Sequence, residues 1–220
     1  MKIFFSLCSA LMIFAGCSGK MSEIKNAFKN YRGRYVLSVS AGDFSLEVFD
    51  RNLKSMARYR VALGLNHDGR PKIHAGDNRT PVGLYYVTEI LSMDAEKTSG
   101  SYKKLCAMNK IFFRARDGHF RHGHPDIDLG ENAYGPRFYA LDYPNARDRK
   151  RYEVLIREKK IPTVKGKIPG AGQGIAIHGN NDEDSIGHPA TSGCIRMYNS
   201  DIIELEKYVQ IGIPVLIFSD

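Results

Sequence analysis

From Arg34 onward apolar and polar residues alternate with a period of two, the mark of strands that bury one face. Tyr35-Val36-Leu37-Ser38-Val39 and Phe44-Ser45-Leu46-Glu47-Val48-Phe49 flank Ala41-Gly42-Asp43, which predicts a β-hairpin. Tyr59 to Leu63 predicts a third strand ended by Gly64, and Val82 to Thr88 a fourth entered through Thr80-Pro81. Gly174 to His178 and Pro214 to Phe218 complete a β-rich set. Two segments are spaced for helices instead. Arg147 to Lys159 carries Tyr152, Leu155 and Ile156 among charges, and Asp201 to Val209 sets Ile202, Leu205 and Val209 on one face. Ser200 or Asn199 is expected to cap the second, a side-chain oxygen satisfying an orphan backbone N–H, with Gly212 and Pro214 stopping it. Residues 21–32 carry a weaker helical signal. The expected class is mainly β with a few helices (α+β), in one domain over residues 33–220.

Residues 92–136 break the pattern. Apart from a short run suited to a strand, Ile111-Phe112-Phe113, they are rich in Gly, Lys, Arg and His. So long a stretch without periodicity inside a compact domain predicts a functional loop or lid. The first twenty residues are the other exception. Met1-Lys2 precedes an apolar run from Ile3 to Phe14, shorter than the roughly 20 residues a lone helix needs to span a bilayer. A basic residue, a short apolar stretch and then Ala15-Gly16 read as an export signal, covering residues 1–16. Ser18-Gly19-Lys20 opens a polar stretch suited to a tether over 17–32.

Charge and cysteines sharpen this picture. The net charge of +8 gathers in Arg147-Asp148-Arg149-Lys150-Arg151 and Arg157-Glu158-Lys159-Lys160. Basic patches suit nucleic acid, anionic lipid or anionic wall polymer. Export, and the lack of any nucleic-acid motif, argue against nucleic acid as a partner. A plain solvated face and a contact with wall or membrane both stay open. Of the four cysteines, Cys8 leaves with the signal and Cys17 follows Gly16 directly. Cys106 and Cys194 remain. A permanent bridge would silence a nucleophile, so both are expected as thiols, Cys106 as a bystander.

The informative stretch is Ile177-His178-Gly179-Asn180, then Ser185-Ile186-Gly187, then Thr191-Ser192-Gly193-Cys194-Ile195-Arg196-Met197. A cysteine with a pKa near 8.5 is only a few per cent thiolate at neutral pH, so a nucleophilic thiol needs a base or cation beside it. His178 ends a predicted strand, and a sixteen-residue excursion to Cys194 is long enough to bring the chain back beside its start. Gly193 permits close backbone approach, and the N–H of Cys194 can then face a developing oxyanion, a contact worth about 3 kcal/mol in acyl transfer. Taken singly, a buried Cys or His is more often structural than catalytic. The whole string outweighs that reading.

The segment from Gly174 to Met197 resembles the catalytic signature of the L,D-transpeptidase (YkuD-type) domain family. Its matching positions are His178-Gly179, Thr191-x-Gly193-Cys194, Ile195 and Arg196. Asp77-Asn78-Arg79-Thr80-Pro81-Val82-Gly83-Leu84-Tyr85 resembles the family's Thr-Pro-x-Gly-x-aromatic segment, and Phe138 to Asn145 resembles a third. The resemblance spans about residues 34–218. It implies a β-sandwich-like domain with a long inserted loop region and a cysteine acyl-enzyme, with no cofactor and no metal. Cys194 would be the nucleophile and His178 its base, oriented by the Gly179 carbonyl. Gly193 and Cys194 would supply the oxyanion contact, and Arg196 a substrate-binding or loop-ordering cation. Thr191, Ser192 and His188 would face substrate. Many members carry His where this chain has Ser192, which removes a potential cation near the thiolate. The implied partners are peptidoglycan stem peptides, with a protein acceptor as a further option. Phe14-Ala15-Gly16-Cys17 resembles a bacterial lipobox, which implies lipidation at Cys17 and a membrane anchor facing the periplasm, the outer membrane favoured; an ordinary signal peptide is the alternative.

Other clusters carry weaker signals. His119, His122 and His124 with Asp126 and Asp128 contain zinc-binding types, but solvent-exposed or acceptor-binding histidines are the default for a Gly/Pro-bearing loop. His67 and His74 carry no distinct signal, and Tyr85, Tyr86, Tyr139 and Tyr143 are expected in the core and groove walls. An L,D-carboxypeptidase or crosslink hydrolase shares this nucleophile and fold, and the resemblance does not choose among them. A non-catalytic wall-binding lipoprotein and a general cysteine peptidase are the readings from other classes.

Overall fold

The computed structural model describes residues 19–111 and 120–219. β1 (Tyr35–Ser40) and β2 (Ser45–Asp50) form the expected hairpin, pairing Tyr35 with Asp50 and Ser40 with Ser45. The chain continues through β3 (Ser55–Gly64), β4 (Gly83–Ser92), β5 (Phe120–Arg121), β6 (His124–Asp128), β7 (Arg137–Leu141), β8 (Ala176–His178), β9 (Pro189–Thr191), β10 (Ile195–Met197) and β11 (Pro214–Phe218). Nine of them form one sheet, ordered β10-β8-β7-β4-β11-β1-β2-β3-β9, and β10 also pairs with β3. That pairing closes the sheet on itself. The mainly β class with a few helices therefore holds, and its layering takes the form of one closed sheet around one core.

Period two sorts every strand between the two faces. Leu37, Val39, Leu46, Val48, Tyr85, Val87, Tyr139, Ile177, Ile195, Val215 and Ile217 point inward and are buried. Tyr139 donates its hydroxyl to the Ile202 carbonyl at 3.1 Å and Tyr143 to the Ala171 carbonyl at 2.8 Å, so these rings bury without an orphaned polar atom. Tyr86 instead faces out from β4 and is exposed.

Two patches of the outer face are apolar, and each has a helix on it. Val36, Phe49 and Leu216 meet Ile24, Ala27 and Phe28 from helix α1 (19–27) and its exit. Each large apolar side chain buried there contributes roughly 1.5–3 kcal/mol. Within the segment expected as a tether over 17–32, the helix from residue 19 is thus docked on the domain. On the opposite side Leu91, Phe138 and Ala176 meet Leu105 from α2 (Gly100–Ile111). The 92–136 region thus holds a helix and the β5–β6 hairpin rather than one long loop. Ile111 ends α2, and Phe112 and Phe113 lie outside the described residues.

α3 (Ala146–Arg157) matches the expected helix and starts on a capping box between Asn145 and Asp148. Much of the basic cluster there is engaged within the chain: Arg147 bonds the Val82 carbonyl, Arg149 the Pro144 carbonyl, and Arg151 the Lys72 carbonyl. α4 (Asn199–Leu205) is shorter than expected, passing into a 3₁₀ turn at Glu206–Tyr208. Neither Ser200 nor Asn199 caps it; Tyr198 holds that position without a side-chain bond, and Asn199 is turned elsewhere.

Candidate active site

β8 and β10 run parallel, with Ile195 opposite Ile177 and Arg196 opposite His178. Alternation sends Ile177, Ile195 and Met197 to the core. His178 and Arg196 are left on the outer face, and Cys194, two residues before Arg196, shares that side. Thiol and imidazole thus stand on one face of two paired strands.

The turn into β10 is braced from within. The Thr191 hydroxyl donates to the Cys194 carbonyl at 2.7 Å and accepts from the Gly193 N–H at 3.0 Å. Thr191 is buried, its hydroxyl is engaged within the loop, and the Gly193 N–H is occupied by it. Gly193 has φ 131, and a Cβ on it would stand 2.6 Å from the Arg79 carbonyl oxygen. Only glycine suits that conformation and that contact.

Arg79 belongs to the Thr-Pro segment, which forms the ledge beneath this turn. Asp77 holds the ledge, accepting from the N–H groups of Ile73 (2.7 Å), His74 (3.2 Å) and Arg79 (3.1 Å) and pairing with buried Lys72 at 2.6 Å. Thr80 accepts from the Gly64 N–H at 2.9 Å. The two sequence hallmarks therefore touch in space, more than a hundred residues apart in the chain.

His178 is only 4 % exposed, and its Nδ1 lies 2.5 Å from the Gly179 carbonyl. A carbonyl only accepts, so Nδ1 carries the proton and Nε2 keeps its lone pair. Tyr134 meets the ring edge-on at 5.1 Å and Phe138 stacks on it at 6.0 Å. Burial first, and the Arg196 cation second, push the His178 pKa down to about 3, against the Gly179 carbonyl. Cys194 is half-buried, with Sγ donating to the Gly174 carbonyl at 3.4 Å. Burial raises its pKa, and the Ala176 amide with the Arg196 and Lys72 charges offsets that only in part. At neutral pH the pair is thiol and imidazole, both uncharged.

On that outer face Arg196 lies under the 182–185 turn. Its guanidinium donates to Ser185 Oγ at 2.9 Å and stands 3.6 Å from the Asp182 carboxylate. Asp182 also accepts from the His122 N–H at 3.3 Å, Arg121 bonds Asp184 at 2.6 Å, and the His122 ring stacks on His188 at 4.7 Å. The β5–β6 hairpin is thereby fastened to the loop that carries Arg196's partners. His188 and Ser192 are exposed at the rim. His119 lies outside the described residues, and no group of three metal-ligating side chains occurs among those described. A groove of about 480 Å³ bordered by Lys72, Gly76, Gly172, Gln173 and Ser192 opens beside the catalytic turn. A larger cleft of about 650 Å³ lies elsewhere, between Lys20, Arg147 and Phe218, and neither cysteine nor histidine lines it.

Tyr134, Asp182, Ser185 and Asn199 are members of this site that sequence reasoning missed. Tyr134 stands close enough to Cys194 for the thiolate charge, after burial, to push its phenol up to about 12. None of the four lies in a motif whose chemistry announces it; only Ser185 fell within the quoted string.

Comparison with known proteins agrees with the geometry. The L,D-transpeptidase catalytic domain family matches residues 34–217. YqjB and YkuD of Bacillus subtilis (strain 168), both bearing the L,D-transpeptidase name, are 43% identical over 44 residues and 49% over 45. Those stretches cover 20% of this chain and 25% and 27% of the two relatives. Among solved structures, Bdellovibrio bacteriovorus Bd1075 aligns at 24% identity and a TM-score of 0.48. The K307A mutant of the Campylobacter jejuni helical cell shape determining protein Pgp2 aligns at 20% and 0.49. Each alignment covers 85% of this chain but 48% of the other, so the chain spans about half the length of these neighbours. With the family match running from β1 to the last strand and taking in both the Thr-Pro ledge and the Gly193-Cys194 turn, the chain belongs to the L,D-transpeptidase catalytic domain family.

Proposed function

We propose that this protein is a peptidoglycan L,D-transpeptidase that works through a Cys194 acyl-enzyme. The observation that carries the reading is the placement of Cys194 and His178 on one face of β8 and β10, with Nδ1 tied to Gly179 and Nε2 left as base. In the first half-reaction Sγ attacks the carbonyl of the third, L-configured stem residue while its proton passes to His178 Nε2. The Cys194 N–H faces the oxyanion. The C–N bond to D-Ala breaks, His178 returns the proton to the leaving amine, and a thioester remains. In the second half an amine from another stem attacks, His178 takes its proton, and Sγ leaves to be reprotonated, closing a 3–3 crosslink. A neutral resting pair suits this sequence, because His178 then acts as base at the moment of attack. Ser192 and His188 at the rim, and the groove beside Ser192, are the surfaces offered to stem peptides.

Lipidation at Cys17 and a periplasm-facing anchor, in the outer membrane by preference, belong to the same proposal. Support comes from the signal-like start and the cysteine that follows it. The test is mass spectrometry of products from the full chain in detergent with tetrapeptide muropeptides, beside a Cys194→Ala control. Loss of D-Ala with 3–3 dimers, absent in the control, is expected. Tripeptide monomers alone make it a carboxypeptidase, and no Cys194-dependent change removes both readings.

A further inference from the structure

The Gly179 carbonyl is uncharged, so whatever makes it an effective partner for His178 must come from the other end of its own peptide group. That end is the Asn180 N–H, which donates to Asn199 Oδ1 at 2.9 Å. Asn199 Nδ2 returns a bond to the Asn180 carbonyl at 2.9 Å, so one side-chain amide grips the Asn180 backbone at both its donor and its acceptor. The Asn180 side chain is buried and tied down in turn, donating to the Met197 carbonyl at 2.5 Å and accepting from the Asp182 N–H at 2.5 Å. Glycines make room for the clamp. A Cβ on Gly179 would strike Asn199 Oδ1 and stand 2.7 Å from Pro136 Cδ, and one on Gly135 would stand 2.5 Å from both Asn199 Oδ1 and the Asn180 nitrogen.

From this geometry we propose that Asn199 is a positioning residue for His178, acting through the Gly179–Asn180 peptide. The chain of bonds runs Asn199 Oδ1, the Asn180 N–H, the Gly179 carbonyl, then His178 Nδ1–H. Bonds in series polarise one another, so the acceptor on Asn180 enriches the carbonyl that faces the ring. The arrangement holds the tautomer and ring plane as a carboxylate does in a Ser-His-Asp triad. It also explains why Asn199, at the start of α4, does not cap that helix.

The inference rests on His178 being the base of the proposed reaction, so its test includes a readout that needs no turnover. Nitrogen NMR of the histidine-labelled full chain, assigned with His178→Gln, reports which ring nitrogen carries the proton. Wild type is expected as the Nδ1–H form. Asn199→Ala should mix the tautomers and lower kcat about tenfold or more, with KM within about threefold. Asn199→Asp keeps an acceptor for the Asn180 N–H and should restore the tautomer and most of kcat. A merely structural asparagine predicts the reverse, because an aspartate sets a carboxylate against the Asn180 carbonyl. An Ala variant that folds with the wild-type tautomer and kcat overturns the proposal, as does a folded Asp variant no better than Ala. Should the Ala chain not fold, the Asp variant decides alone: the Nδ1–H form supports the clamp, and its loss overturns it. If wild type shows no Cys194-dependent turnover, the functional reading fails while the tautomer data still judge the clamp.

Discussion

A neutral thiol–imidazole pair has a signature that separates it from the ion pair of many cysteine enzymes. Burial raises the Cys194 pKa above the reference 9.0, and the same burial with Arg196 lowers His178 to about 3. For a thiol of pKa 9.0 or more, the thiolate fraction at pH 7 is about 1 % or less. Direct alkylation draws on that fraction alone. The rate with iodoacetamide should therefore be low at pH 7, climb about tenfold per pH unit from 6 to 9, and still be rising at pH 9. An ion pair would instead give a plateau beginning near pH 4–5. Acylation by an activated thioester should behave differently, since His178 can take the proton as the S–C bond forms and the Cys194 N–H meets the oxyanion. It should be fast near pH 7, with little pH dependence over the neutral range. The assay is intact-mass detection of modified protein against time, with Cys194→Ala as the blank. A flat alkylation profile between pH 6 and 8 would show a stable thiolate and refute the reasoning.

Three further predictions follow from individual contacts. Gly179→Ala forces a Cβ against Asn199 and Pro136 and should cost about 1–3 kcal/mol, lowering Tm by several degrees; an unchanged melt would count against the observed fit. Ser185→Ala leaves the buried Arg196 guanidinium with only the 3.6 Å approach of Asp182 and should cost roughly 1–3 kcal/mol in urea unfolding, whereas a surface-like loss below 0.5 would contradict the burial. The depressed pKa of His178 sets a sign for stability against pH. The unfolded chain binds a proton near 6.5 that the folded chain refuses until about 3, so stability falls as pH drops through that window and is fully present above it. Replacing His178 with Gln should flatten urea midpoints between pH 7 and 5; an unaltered slope would show that other groups set it.

Apolar patterning was enough to place β1, β2, β3, β4 and β11, because strands of five to ten residues write their burial into the sequence. The His178-Gly179 and Gly193-Cys194 motifs were equally legible, since their chemistry demands those residue types whatever surrounds them. The Gly174–His178 run likewise announced β8, but β9 and β10, three residues each, carry no such record. β8 and β10 bring thiol and imidazole to one face only because the two strands pair in parallel, a long-range pairing that no local period encodes. α2 was unreadable for a related reason: among its residues of described burial Leu105 is the one fully buried apolar side chain, and three lysines blur the stripe. Asn199 reads locally as a helix cap, a role its side chain can fill by itself. Only folding brings it against Asn180, where its amide grips both ends of that residue's backbone. The residue types for the chemistry could thus be read along the chain. Their protonation states depended on tertiary structure, because burial and the Arg196 charge come from segments the sequence keeps apart.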